Sequence, residues 1–161
     1  MLNFQDVYAA SAPEVYRFAF WLSGDGLEAE DITSETFVRA WVKRDVIRTE
    51  TLKAYLFTIA RNAFLERRRK SKRRAVLEDS YPDPSPGPPQ QAEARLELQK
   101  VGNLLQTLPE VDRTAFILRV QHELPCAEIA RILELSLSAV KVKIYRVRKK
   151  LLSAGAEKEV R

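Results

Sequence analysis

The chain has one cysteine, Cys126, and one histidine, His122, among its 161 residues. A single thiol excludes an intrachain disulfide, and the two together fall short of the Cys/His set of a structural zinc site. A serine–histidine or cysteine–histidine catalytic site would have to rest on His122 alone. There is no Gly-rich phosphate loop. No stretch approaches the roughly 18–20 apolar residues that span a bilayer, so no membrane insertion is expected. The opening Met1-Leu-Asn-Phe-Gln-Asp6 has no basic region leading into an apolar run, which predicts no secretory signal and a cytoplasmic chain. Alternating strand patterns are missing too, and Asp25-Gly26 precedes a helical pattern rather than closing a hairpin. These gaps predict a protein that is not an enzyme and carries no cofactor or metal.

What is present is a core-forming composition with its charge unevenly placed. Apolar residues make up 45% and charged residues 30%, too apolar for a wholly disordered chain. The net charge is +5, yet residues 61–74 hold eight bases against one acid, and residues 136–152 hold six bases and no acid. Those segments carry +7 and +6, leaving −8 for the rest of the chain. Two separated basic segments on an acidic background suit a polyanion touched at two places.

Proline divides the chain. Five of eight prolines fall between Pro82 and Pro89. Such a run cannot continue a helix and favours polyproline conformations. The expected organisation is an N-terminal module over 1–75, a flexible Pro-rich linker over 76–91, a second module over 92–155 and a tail over 156–161. Sixteen linker residues at about 3.1 Å each span roughly 50 Å, so the modules are expected to move independently.

Both modules read as helical, giving an all-α fold of two small domains. Ser11-Ala-Pro-Glu14 looks like a capping box before the run Val15–Leu22, and Asp25-Gly-Leu-Glu28 offers a second start. Ala29, Ile32, Thr33, Thr36, Phe37, Ala40 and Trp41 then recur at helical period as one apolar stripe. A third helix at about 52–70 places Leu56, Ile59, Ala60, Ala63 and Phe64 inward. Helices at about 92–106, 109–121, 126–133 and 137–152 follow, with Pro109 and Pro125 suited to first turns.

The last two helices form a helix-turn-helix pattern: a short helix, the turn Glu134-Leu-Ser136, and a long basic helix that Ser136 can cap. Val140, Ile144, Val147 and Leu151 make its buried stripe. Ser138, Lys141, Val142, Tyr145, Arg146 and Lys149 lie on other faces, where Lys and Arg can read guanine edges in a major groove. The alternative is an ordinary helical hairpin with a solvated basic face. In the first module, residues 25–35 hold five acids and no base. Asp25, Glu28 and Glu30 suit a helix N-terminus. Asp31 and Glu35 lie a turn apart beyond it, beside Ser34 and Val38, like a docking surface for a basic protein helix.

Three segments carry a more specific resemblance. Glu28-Ala-Glu-Asp-Ile-Thr-Ser-Glu-Thr-Phe-Val-Arg-Ala-Trp41 resembles the core-binding helix of bacterial sigma factors of the extracytoplasmic-function (ECF) group. Tyr55-Leu-Phe-Thr-Ile-Ala-Arg-Asn62 and the basic run after it resemble their promoter −10 reading segment. Leu108-Pro-Glu-Val-Asp-Arg113 through Leu151 resembles their fourth region, which reads the −35 element. The match covers both modules in order, with a linker where the family has one. It implies a promoter-directing partner of core RNA polymerase that hydrolyses nothing itself. Core contacts would run to the β′ clamp coiled coil through Asp31, Ser34, Glu35 and Val38, and to the β flap. The loop at about Val42–Lys53 would capture a flipped −10 base, with Arg61 and Asn62 at that strand. Arg67, Arg68, Arg69, Lys70 and Arg73 would hold DNA phosphates. Ser138, Lys141, Val142, Tyr145, Arg146 and Lys149 would face the −35 element.

Family members are commonly held by an anti-sigma factor, which makes one an expected partner. Three positions depart from the family pattern. Glu134 stands where glycine is frequent, Pro125 where Ser or Thr starts the helix, and Val142 where a small polar residue is common. The rival readings are a stand-alone helix-turn-helix regulator acting without core polymerase and an enzyme acting on nucleic acid. The first lacks a clear dimerisation surface or ligand pocket in the sequence, the second a catalytic cluster. Cys126 reads as a small buried apolar residue rather than a redox sensor.

Overall fold

The computed structural model describes residues 3–75 and 92–155. The linker expected at 76–91 and the tail expected at 156–161 lie outside the described residues. All regular structure among the described residues is helical. α1 spans Phe4–Ser23 and α2 Gly26–Val42; a 3₁₀ turn at Thr49–Thr51 leads into α3, Leu52–Ala75. α4 (Ala92–Gln106), α5 (Glu110–Val120), α6 (Cys126–Leu133) and α7 (Leu137–Ser153) form the second module.

α1 starts well before the expected capping box. Asn3 caps it by accepting from the Gln5 N–H at 3.1 Å, and Ser11 and Pro13 sit inside the helix. The cause is tertiary. Phe4 meets the Trp41 ring edge-on at 5.0 Å, and Val7 is buried, so packing against α2 extends the helix through residues whose local signals favour a later start. Gly24 ends it at φ 75°, the left-handed conformation that glycine takes without a Cβ penalty.

α2 begins as its sequence indicates. Asp25 accepts from the N–H of Leu27 at 2.9 Å and of Glu28 at 3.5 Å. Its stripe buries Ala29, Ile32, Thr33, Thr36, Phe37 and Ala40. The two threonine hydroxyls enter the core by donating back to the carbonyls of Ala29 and Ile32, at 2.7 and 2.6 Å. Trp41, the expected end of that stripe, is instead 47% exposed, with Arg44 over its ring at 4.0 Å. From α3, Leu56, Phe57, Ile59, Ala60, Ala63 and Phe64 close the core. Each of the leucine, isoleucine and phenylalanine side chains contributes roughly 1.5–3 kcal/mol when its apolar surface is fully removed from water.

In the second module α6 and α7 pack on α5 as a helix-turn-helix. Glu134 ends α6 at φ 55°, ψ 47°, and the Leu135 N–H returns to the Ala130 carbonyl at 2.9 Å. Ser136 caps α7 by accepting from the Ala139 N–H at 3.1 Å. Pro109 and Pro125, expected in first turns, take the cap positions of α5 and α6 instead. Cys126 is half-buried against the core.

The modules, expected to move independently, are packed together in the structure. One apolar cluster runs from Phe18, Leu22, Phe57 and Ala60 to Ala115, Ile117, Leu124 and Ile129. A smaller one joins Leu105, Leu108, Val147 and Leu151, with Trp21 of the first module packed against it.

Candidate nucleic-acid and protein interfaces

α7 presents the most regular surface. Val140, Ile144, Val147 and Leu151 are buried at spacings of four, three and four. Ser138, Lys141, Val142, Tyr145, Arg146 and Lys149 are all exposed, and their helical spacing puts them on one face. Tyr145 is 64% and Val142 45% exposed. Asp112 of α5 holds Lys143 at 3.0 Å, pinning the flank of α7 so that the outward face is set by packing on both sides of it. A rigid helix with cations and one aromatic outward is the geometry that direct reading of a major groove requires.

On α2, Asp31, Ser34 and Val38 are exposed, and Glu35 is half-buried. The two acids are engaged by bases. Arg67 of α3 donates to Asp31 at 3.0 Å. The Arg39 guanidinium donates to Glu35 and to Glu66 of α3, each at 2.6 Å. The hydrogen bond with Glu66 is the main reason that Arg39 is pushed up from its usual range, and the same bond holds the Glu66 carboxyl below its own. A surface cleft of about 570 Å³ runs between these helices, with Glu28, Asp31 and Glu35 facing Arg67, Arg68 and Lys70.

The residues expected at the −10 strand divide by environment. Asn62, Arg69 and Lys70 are exposed. Arg68 donates to the Ser23 carbonyl at 2.9 Å and stacks over Phe64 at 4.9 Å, which ties it to the module's own frame. The Arg73 side chain lies outside the described set. Arg61 points to the second module. Its Nε and Nη2 donate to the two carboxylate oxygens of Glu110 at 2.7 and 3.0 Å. Val42, the last residue of α2, and Val46, in the segment between α2 and the 3₁₀ turn, are 70% and 73% exposed.

Several residues to which the sequence assigns no such role hold the modules together. Thr114 donates to Glu110 at 2.8 Å and fixes its carboxylate toward Arg61. Glu14 of α1 accepts from Lys53 of α3 at 2.9 Å and lies 3.3 Å from Nδ1 of His122. His122 is buried beside Phe57 and Phe18, with ring centroids 4.7 and 6.0 Å away, and its Nε2 has no partner among the described residues. Burial pushes the imidazole below its ordinary value, and Glu14 only partly offsets this. Gln106 donates to the carbonyls of Trp21 and Leu22 at 3.3 and 3.1 Å. Within the second module, Arg113 is buried and donates to the carbonyls of Leu105 and Leu108 at 3.2 and 3.1 Å. Desolvation lowers its proton affinity. These pairings join positions up to 108 apart, so no local pattern signals them.

A two-module helical chain with a helix-turn-helix and an acidic helix face defines a class of transcription initiation proteins, and comparison narrows it. The sigma-70 region 2 model matches residues 7–74, and a sigma-70 region 4 model matches residues 98–151. The chain is 31% identical over 143 residues to the ECF RNA polymerase sigma factor SigL of Mycobacterium tuberculosis, covering 86% of this chain and 81% of that one. It is 28% identical to the ECF sigma factor SigM of Bacillus subtilis, over 93% of each chain. The sigma factor RpoE, solved in complex with the anti-sigma factor NepR from Bartonella quintana, superposes with a TM-score of 0.78 at 28% identity, over 99% of both chains. The protein belongs to the ECF group of RNA polymerase sigma factors. Among the described residues, no helix is long and apolar enough to cross a membrane.

Proposed function

We propose that the chain directs core RNA polymerase to its promoters in the cytoplasm through three surfaces and performs no catalysis of its own. Asp31, Ser34, Glu35 and Val38 dock a basic helix of core polymerase, the β′ clamp coiled coil, and the second module meets the β flap. Asn62 and Arg61, with the segment 42–53, take the opened −10 strand, while Arg67, Arg68, Arg69, Lys70 and Arg73 hold its phosphates. Ser138, Lys141, Val142, Tyr145, Arg146 and Lys149 read the −35 element. The first surface and the −10 surface belong to a module over 1–75, the −35 surface to one over 92–155. An anti-sigma factor is the expected antagonist, and the similarity to a sigma factor solved with one supports it.

The observation that carries this reading is the α7 face: six exposed residues on one side, cationic at three of them, over a fully buried stripe. The test is transcription in vitro from a random promoter library. Core polymerase plus this chain should enrich templates sharing two elements, and neither component alone should do so. Enrichment of no common element would remove the reading.

A further inference from the structure

The contact between the modules is polar as well as apolar, and it consumes a group that the −10 surface needs. Arg61 and Glu110 form a two-pronged ion pair with side chains only 16% and 18% exposed. Two parallel N–H···O bonds to a carboxylate use the same donors, in the same plane, that a guanidinium offers to a phosphate. Shielding from water makes this pair stronger than a surface one. The neighbouring Asn62 is exposed, so half of the expected strand-reading pair is open and half is closed. Thr114 buttresses Glu110, while Glu14, Lys53, His122 and Gln106 add further bonds across the same junction. The −35 face of α7 stays exposed throughout.

We propose that this packed arrangement is an autoinhibitory contact, in which the second module's Glu110 occupies Arg61 as a stand-in for the DNA phosphate and withholds the −10 surface until the modules part. The proposal rests on the assignment of Arg61 to the −10 strand. Glu110 lies outside all three proposed binding surfaces, so its substitution separates release from recognition. Opening is the step that polymerase must drive, and closure gives the free chain low affinity for single-stranded DNA despite its +7 segment.

The experiment uses the full chain carrying Glu110→Gln, which keeps the volume of the side chain, and Arg61→Glu paired with Glu110→Arg, which restores the pair in reverse. Circular dichroism establishes that each remains helical. Solution scattering reads the separation of the modules, and fluorescence anisotropy reads affinity for a labelled random-sequence single-stranded oligonucleotide. Glu110→Gln should enlarge the particle and tighten oligonucleotide binding about tenfold, the gain when a closed form outweighs an open one by about ten to one. The reversed pair should return the particle to its compact size. Unchanged dimensions and affinity in Glu110→Gln would overturn the proposal. A separate arm measures strand opening by holoenzyme containing Arg61→Ala, on promoters selected by the wild type. Normal opening there would remove Arg61 from the −10 surface and the autoinhibition with it. Impaired opening together with a silent Glu110→Gln would sink the autoinhibition alone.

Discussion

Nδ1 of His122 lies 3.3 Å from the Glu14 carboxylate across the junction between the modules, and the opposite nitrogen of the same ring has no hydrogen-bond partner among the described residues. The arrangement favours a neutral imidazole. Protonation would put an N–H where no acceptor stands among the described residues, at a cost of roughly 1–3 kcal/mol for the unmet donor.

A pH dependence follows, and its sign is set. The His122 value is lowered by burial, with Glu14 opposing, and Lys53 and Arg17 face the ring as further cations. A group whose folded value lies below its unfolded one near 6.5 stabilises the packed state fully above that pH. The contribution fades as the pH falls through the lowered value. Burial raises the Glu14 value, but its bonds to Lys53 and His122 outweigh that and lower it overall, so Glu14 adds a loss in the same direction at more acid pH. Scattering from the full chain should therefore show expansion on acidification from neutral pH toward 5. His122→Leu should flatten the profile above the carboxylate range. An unchanged particle across that window would contradict the role given to His122.

On the proposed assignment, base readout by α7 should separate from phosphate holding. Arg146→Ala should cost about 1–3 kcal/mol at a cognate −35 element and relax preference at one or two positions. Lys149→Ala, a turn later, should weaken all sequences alike and lower the salt slope by about one. Transcription from −35 variants at two salt concentrations distinguishes them. A uniform loss in Arg146→Ala would make it a phosphate clamp instead.

The acidic face of α2 should matter for docking far more than for folding. The Asp31–Arg67 pair has side chains 64% and 37% exposed, and pairs so hydrated contribute about 1 kcal/mol or less. Asp31→Asn with Glu35→Gln should leave the thermal midpoint within a few degrees and lower core polymerase affinity tenfold or more. Calorimetry and a core-binding titration read the two effects. Equal loss of both would mean that the face is structural.

Arg113 is the opposite case. Its guanidinium satisfies two carbonyls at the turn from α4 to α5 while buried. Arg113→Ala should destabilise the chain by about 2–4 kcal/mol in a denaturant titration, through unmet carbonyls and a void. Arg113→Met, which keeps the stem, should recover part of that. A loss under 1 kcal/mol would show that water replaces the guanidinium.

Glu134 holds φ 55°, a conformation that costs most L-residues roughly 1–2 kcal/mol. Glu134→Gly should stabilise the second module by about 0.5–1 kcal/mol, after the entropy of the added glycine is counted. A lower denaturation midpoint in that variant would show that the side chain has a compensating contact.

The sequence discloses this fold where local signals and packing agree. Asp25 and Ser136 are caps followed by clean stripes, and α2 and α7 begin where those residues place them. The outward face of α7 is legible for the same reason: four buried positions leave six others no alternative orientation. α1 is legible only in part, because its early start depends on Phe4 meeting Trp41, a contact between helices. Periodicity places Trp41 inward, but it stands in the last turn of α2, where Phe4 covers one edge of the ring and leaves it 47% exposed. In the sequence Arg61 is one of eight bases in residues 61–74. Its carboxylate lies 49 residues away in the other module, and charge patterning along a chain says nothing about such a partner.

The shared core also governs how tightly any ligand of the separated modules can hold this chain. Residues 76–91 join the two halves in one chain, so the closing of one half on the other is intramolecular and independent of protein concentration. Closure is thus an intramolecular ligand that never dilutes away. If closed outweighs open by about ten to one, a partner that needs the open chain binds about tenfold more weakly than its contacts allow, whereas one that recognises the packed form loses almost nothing. Two competitors with equal contact surfaces would then differ in potency by the closure constant alone, and that constant can be tuned by substitutions at the junction without touching a residue that either of them meets.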